Sequence, residues 1–135
     1  MKISRGLRNN NPLNIRRNNT QWKGLSLVQQ DKEFFSFADS SWGYRAAFIT
    51  LRNYYRMHGL KTLHQWITRW APPVENDTDA YVRFVSLKTG IDADAELDVD
   101  DPVCMQKIVA AMSHMENGKA ALLADVKKGW ELSLC

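Results

Sequence analysis

The residues that start and stop helices constrain the fold of this sequence more than any other feature. Ser40 or Ser41 suits the N-cap of a helix that runs to about His58, where Gly59 ends it. The segment 62–70, TLHQWITRW, has the apolar spacing of a second helix, and the prolines after it stop that helix. Two long stretches of the chain are therefore predicted to be helical.

The second half of the chain continues the helical pattern. Asp77 or Thr78 can cap a third helix, and Asp101, followed by a proline, can cap a fourth that stops at Gly118. The final segment 119–132 has the composition of a shorter fifth helix. About five helices are therefore predicted.

The first 37 residues lack this pattern. Residues 22–24, WKG, are typical of a turn, and residues 33–37, EFFSF, of a short strand. No repeat or linker divides the chain. The sequence therefore predicts one domain over residues 1–135, mainly α and of the α+β class, with a small β element near its start.

Length and composition exclude several classes. The 135 residues are 44% hydrophobic and 24% charged, as expected for a globular domain. The apolar runs are too short for a membrane span, and the start MKISRGLRNNN lacks the apolar region of a signal peptide. We expect a protein made in the cytoplasm and associated with a virion or delivered to the cell wall by a non-Sec route.

No metal or organic cofactor is predicted. Cys104 and Cys135 are too few for a zinc site or a disulfide scaffold, and they are interpreted as free thiols. The acidic stretch 92–101 lacks the glycine and the glutamate that calcium loops use, which favours a solvated loop.

The charges are unevenly spread. Residues 1–30 contain six basic residues and no acid. This favours an anionic surface or substrate, although a solvated face explains it equally well. With Trp22 interleaved, a nucleic-acid-binding protein is an alternative, but no known nucleic-acid motif is present.

Glu116 is the most informative single residue. Met105, Val109, Met112 and Glu116 share one face of the fourth predicted helix, and that face is otherwise apolar. Desolvation and the negative helix end both favour a protonated carboxyl, which a general acid requires. The alternative is a glutamate that reaches solvent at a fraying helix end.

The stretch 69–81, RWAPPVENDTDAY, is a second candidate site. Its prolines stiffen a loop that presents polar groups next to aromatic rings, as in sugar sites. A well-capped helix after a proline loop is the structural alternative. The side chains concerned are Trp70, Glu75, Asn76, Asp77, Thr78 and Tyr81.

The run 8–17, RNNNPLNIRR, suits neither a helix nor a strand interior, because asparagine amides compete for backbone hydrogen bonds. It is interpreted as one wall of a cleft. Asn11 and Asn14 would hold the loop or hydrogen-bond a sugar, and Arg16 and Arg17 would face an anionic wall polymer.

Several motifs together resemble one family. RGLRNNNPLNIR, W-x-G, S-x-x-G-Y-R-A, RWAPPxENDTxxY and ENG, spread over residues 5–118, resemble small phage and prophage proteins often called virion structural or lysis proteins. The resemblance implies a lysozyme-like domain that cuts peptidoglycan. Leu13 departs from the pattern, because the family usually has glycine there, and an altered cleft is a possible consequence.

A more distant likeness concerns mechanism. NPLNIR…WKG…FFSFADSSWGYRA and ENDTDAYVRFV are similar to segments of flagellar and autolysin-type glucosaminidases. In those enzymes the helix with the catalytic glutamate precedes the asparagine motif, whereas here MENG comes last. The resemblance therefore implies a circularly permuted lysozyme-like domain.

The expected function is a peptidoglycan-cleaving glycosidase: a lysozyme-like hydrolase, a glucosaminidase or a lytic transglycosylase. Glu116 would be the acid, with Glu75 or Asp77 as a second carboxylate. Glycan strands are the expected partner, together with other virion proteins. A non-catalytic virion or wall-binding protein is the main alternative. The predicted substrate-binding residues are Asn11, Asn14, Trp22, Trp70, Asn76, Thr78 and Tyr81.

Overall fold

Residues 3–135 are described by a computed structural model. Lys2, one of the six basic residues near the start, lies outside them. The described residues form six helices: α1 Arg5–Arg8, α2 Ser40–His58, α3 Leu63–Trp70, α4 Thr78–Thr89, α5 Pro102–Asn117 and α6 Leu123–Ser133. No helix among them is long and apolar enough to cross a membrane.

Local capping explains where these helices begin and end. The side chains of Asp77 and Asp101 accept hydrogen bonds from the first turns of α4 and α5, as the sequence predicts, and that of Thr62 does the same for α3. Gly59 and Gly118 end α2 and α5 in the left-handed conformation.

Three sequence expectations about the helices need correction. Asp39, not Ser40 or Ser41, caps α2, because its side chain accepts from the Ser41 amide. The last helix begins at Leu123 rather than at residue 119. The four-residue α1 was not expected at all.

The core lies where α2, α3, α4, α5 and α6 meet. Phe48, Leu51, Trp66, Met105 and Ile108 are fully buried in it. Burying each such side chain contributes about 1.5–3 kcal/mol relative to leaving it exposed. α5 contacts α1, α2, α4 and α6, so the helix that carries Glu116 is held from several sides.

α2 and α6 pack closely because of Gly129. A Cβ atom there would lie 2.5 Å from the Cβ of Tyr44 and 2.9 Å from the backbone oxygen of Ser41. Phe48 and Trp130 meet edge to face on the same interface.

The expected α+β class is not what the structure has. Within residues 3–135 the β element is limited to two isolated antiparallel bridges, Arg16 to Phe34 and Leu25 to Phe37, so the fold is all-α. The predicted turn at residues 22–24 is present and precedes one of these bridges. The 33–37 segment is extended, but its neighbours are loops.

Asparagine side chains add to the few backbone hydrogen bonds that hold the 33–37 segment. Asn11 is fully buried; its Nδ2 donates to the backbone oxygens of Ile15 and Phe35, at 3.0 and 2.9 Å, and its Oδ1 accepts from the Ile15 amide. Asn10 donates from Nδ2 to the backbone oxygen of Phe37. The asparagine loop, residues 9–14, is therefore tied to the 33–37 segment mainly by amide groups.

Asn11→Ala should destabilise the protein by roughly 3 kcal/mol, because three hydrogen bonds are lost and their buried backbone partners are left unpaired. Urea unfolding followed by circular dichroism measures the loss. Asn19→Ala, at an exposed position of the following segment, is the control and should change the unfolding free energy little. Equal stabilities of the two variants would contradict this structural role.

Candidate active site

Glu116 lies in the last turn of α5, on the face predicted for it. Met105, Val109 and Met112 are fully buried, and Glu116 is partly buried at the end of this apolar row. The predicted apolar face is therefore confirmed. The alternative of a glutamate freely exposed at a fraying helix end is wrong.

Two polar side chains contact the Glu116 carboxyl. The Nδ2 of Asn14 donates to its Oε1 at 2.8 Å, and the hydroxyl of Tyr81 hydrogen-bonds it as well. Burial raises the pKa of Glu116 above its ordinary value, and the two hydrogen bonds offset part of that rise. The raised pKa favours the protonated carboxyl that an acid catalyst needs.

Tyr81 stays a proton donor at this site. Its ring is buried under α5, and its hydroxyl lies 3.4 Å from the backbone oxygen of Met112. Burial, and next the negative charge of Glu116, raise the pKa of Tyr81 well above its ordinary value. The phenol therefore keeps its proton, and its hydroxyl lies between two acceptors, the backbone oxygen of Met112 and the Glu116 carboxyl.

The asparagine loop places Asn14. Its backbone amide donates to the backbone oxygen of Asn11, and its φ of 53° is in the left-handed region that asparagine tolerates better than most residues. Asn11 fixes the loop while Asn14 reaches α5. Of the two roles considered for Asn11, the structure has the loop-holding one, since a fully buried side chain cannot touch a sugar.

Asn117 joins the same loop to the end of α5, and sequence reasoning missed it. Its Nδ2 donates to the backbone oxygen of Pro12 at 2.8 Å, and its Oδ1 accepts from the hydroxyl of Ser4 at 2.7 Å. A Cβ atom on Gly6 would lie 2.8 Å from Asn117 Oδ1 and 3.0 Å from Asn14 Oδ1. The sequence features that could have indicated this contact are the glycine of RGLR and the asparagine of ENG.

A cleft of about 290 Å³ opens beside Glu116. Trp70 forms part of its wall, and the indole Nε1 donates to the backbone oxygen of Leu13 at 3.2 Å, which fixes the ring. The lining residues are Leu13, Asn14, Arg16, Phe34, Arg69, Trp70, Ala71, Pro72, Glu75, Asn76 and Glu116. Residues from the loop, α3, the 72–77 turn and α5 thus converge.

The two candidate second carboxylates differ in position. Glu75 lines the cleft, and its Oε2 lies 3.1 Å from the Nη2 of Arg16. Asp77 instead caps α4 by accepting from the Ala80 amide, and it does not line the cleft. Asp77 therefore does not lie where the predicted second carboxylate would have to be. Glu75 does line the cleft and stays a candidate.

Three further predicted contacts are not in the cleft. Trp22 packs with Phe35 and Phe37 in a separate apolar cluster and is not a platform beside Glu116. Thr78 is buried, and its hydroxyl donates to the backbone oxygen of Ala71. Arg17 donates to the backbone oxygen of Asp31 and lies outside the cleft lining. Tyr81, another predicted substrate-binding residue, is buried and does not line the cleft either.

A larger cavity, of about 570 Å³, lies elsewhere, between α4, α5 and the start of α6. Its lining includes Val103, Lys107 and His114 and none of the predicted site residues. We place the candidate site at the smaller cleft, because only there do a raised carboxyl pKa, hydrogen-bond donors and an aromatic wall coincide.

Comparison with known proteins gives the family. No protein-family model matches this chain. It is similar to Protein P5 of Pseudoalteromonas phage PM2, with 40% identity over 134 residues that cover 96% of this chain and 82% of the relative. This identity over nearly the whole chain shows that the protein belongs to the phage protein family of Protein P5.

Proposed function

We propose that this protein is a phage peptidoglycan glycosidase with a lysozyme-like domain and Glu116 as its general acid. One observation carries the proposal: Glu116 has a raised pKa and lines a cleft with Trp70. An aromatic face beside an acid suits a sugar ring next to the bond to be broken. Membership in a phage family supports a virion-associated protein with other virion proteins as partners.

Protonation of the leaving oxygen is the step assigned to Glu116. Asn14 occupies Oε1, so Oε2 is the oxygen better placed to carry the proton. The proton passes to the glycosidic oxygen as its bond to the anomeric carbon breaks. Glu116 is then an anion, which Asn14 and Tyr81 stabilise by hydrogen bonds.

The nucleophile proposed is the sugar itself. Glu75 is paired with Arg16, and Asp77 caps a helix, so we assign the role of nucleophile to neither carboxylate. The acetamide oxygen of the sugar would attack the anomeric carbon, and water, losing a proton to Glu116, would complete hydrolysis. If a sugar hydroxyl attacks instead, the product is an anhydro sugar and no water is added.

The ion pair between Arg16 and Glu75 also supports a second candidate, a non-catalytic wall-binding protein, because it leaves no second carboxylate assigned to catalysis. Mass spectrometry of purified peptidoglycan after incubation separates the outcomes. Reducing ends with added water indicate a hydrolase, anhydro ends indicate a lytic transglycosylase, and unchanged glycan with retained binding indicates the binder.

Glu116→Gln should lower peptidoglycan cleavage by about 10²–10⁴-fold, because glutamine keeps the shape but has no proton to give. Product formation measured by mass spectrometry checks this. Glu131→Gln, an exposed glutamate in the last turn of α6, is the control and should cut at the wild-type rate. Wild-type cleavage by Glu116→Gln would rule out Glu116 as the acid.

The same variant should change how stability depends on pH. Since the folded pKa of Glu116 is raised, the wild type loses stability as the pH rises from the ordinary carboxyl range through that raised pKa. The glutamine variant has no such loss. Unfolding free energies in urea should therefore agree near about pH 3 and favour the variant near about pH 8; a variant that is less stable at the higher pH would contradict the desolvation argument.

Asn14→Gly should move the alkaline limb of the pH–rate profile to higher pH. Glycine tolerates the left-handed φ, and removal of the donor to Oε1 raises the pKa of Glu116 further, so the acid stays protonated longer. A carbon-13 NMR titration of the carboxyl reports the same shift without turnover.

Asn10→Gly is the matched control, because Asn10 has a φ of 52° but donates to the backbone oxygen of Phe37. Asn10→Gly should leave the alkaline limb of the pH–rate profile unchanged. A limb that moves equally in both variants would mean that the loop, and not the Asn14 amide, sets the pKa of Glu116.

A further inference from the structure

Two arginines line the cleft beside Glu116, and each is held against an aromatic ring. The guanidinium carbon of Arg16 lies 5.2 Å from the centre of the Phe34 ring, and that of Arg69 lies 5.5 Å from the centre of the Tyr54 ring. Such stacking limits the conformations of a long side chain, while its N–H groups remain able to donate hydrogen bonds. The two guanidinium groups are thus restrained in a way that suits the binding of a planar anion.

Besides Glu116, Glu75 is the one carboxylate among the lining residues. Its Oε2 accepts from Arg16 Nη2 at 3.1 Å, and Glu33 approaches Nη1 of the same arginine at 3.5 Å. The side chains of Arg16 and Glu75 are 59% and 54% exposed. An ion pair this exposed is weak, so an incoming anion displaces Glu75 easily.

We propose that Arg16 and Arg69 form a carboxylate-binding site, which Glu75 occupies in part until an anionic ligand replaces it. The ligand class is an acidic glycan whose carboxylate projects from a sugar next to the bond at Glu116. This rests on the proposed function for the glycan, in which the carboxylate belongs to the lactyl group of muramic acid or to the stem peptide.

The charge of the cleft supports this ligand class. With Glu116 protonated, two guanidinium groups and the single charged carboxylate of Glu75 line the cleft, while Glu33 lies outside the lining at Nη1 of Arg16. Displacement of Glu75 frees Nη2 of Arg16 for a charge-assisted hydrogen bond. Neutral glycans offer these donors only uncharged oxygens, which form weaker hydrogen bonds. Arg16 and Arg69 therefore select acidic over neutral sugar chains, while Glu116 acts on the bond.

Calorimetric binding to full-length Glu116→Gln protein tests the site without turnover. The probes are chitotetraose, the peptide-free tetrasaccharide of N-acetylglucosamine and N-acetylmuramic acid, and the same tetrasaccharide with stem peptides. The two acidic probes should bind at least tenfold more tightly than chitotetraose. If the peptide-free probe already shows this gain, the lactyl carboxylate is the group recognised; a gain confined to the third probe assigns the stem peptide.

Substitutions then locate the site. Arg16→Gln and Arg69→Gln, each added to that protein, should weaken the acidic probes about tenfold and leave chitotetraose unchanged. Arg83→Gln, which removes the same charge from an exposed position on α4, should change neither. Glu75→Gln should tighten the acidic probes severalfold, because the competing carboxylate is gone.

Three results would overturn the carboxylate site: equal binding of acidic and neutral probes, equal losses for Arg16→Gln and Arg83→Gln, or no binding of any probe. Loss of peptidoglycan cleavage in a Glu75→Gln single variant would also overturn it and would make Glu75 a catalytic carboxylate. Products from wild-type protein on peptidoglycan report separately on the glycosidase itself, so the two proposals fail in different experiments.

Discussion

The contact between the asparagine loop and the end of α5 is the interaction on which the site depends. Asn117 holds the backbone of Pro12, and Asn14, two residues further on, reaches Glu116. The two hydrogen bonds are made by adjacent residues of the last helical turn. Both need α1 close by, and Gly6 permits that approach because no side chain intervenes.

This arrangement gives Glu116 a mixed environment. Burial raises the pKa of the carboxyl, and an acid catalyst must also be able to release its proton. The donors Asn14 and Tyr81 make the anion accessible, because their hydrogen bonds favour the charged form. Two opposing effects therefore set the pKa of Glu116: desolvation raises it, and the hydrogen-bond donors lower it.

Sequence patterns predicted what is locally determined. The caps Asp77 and Asp101 and the stops at Gly59 and Gly118 each act within one helical turn, so the sequence alone was enough to predict them. The apolar face below Glu116 followed from helical spacing for the same reason.

Long-range contacts escaped prediction because the sequence does not show which distant groups meet. Asn11 and Asn14 look alike in the sequence, yet Asn11 bonds the backbone of Ile15, four residues away, and Asn14 bonds a carboxyl 102 residues away. The strand expected at residues 33–37 has the right side chains, but its backbone hydrogen bonds go to several separate segments and are supplemented by asparagine amides. Glu75 and Asp77 also look alike in the sequence, but their partners differ: Glu75 pairs with Arg16, and Asp77 accepts from the Ala80 amide.

Leu13 shows how one residue connects the core to the cleft. Its side chain is fully buried in the helical core, whereas its backbone oxygen accepts from the indole of Trp70 on the cleft wall. A glycine at this position would keep the backbone acceptor and remove the apolar anchor. The leucine therefore adds burial that fixes the loop between Asn11 and Asn14. Since that loop carries the donor to Glu116, packing at Leu13 bears directly on the geometry of the proposed acid.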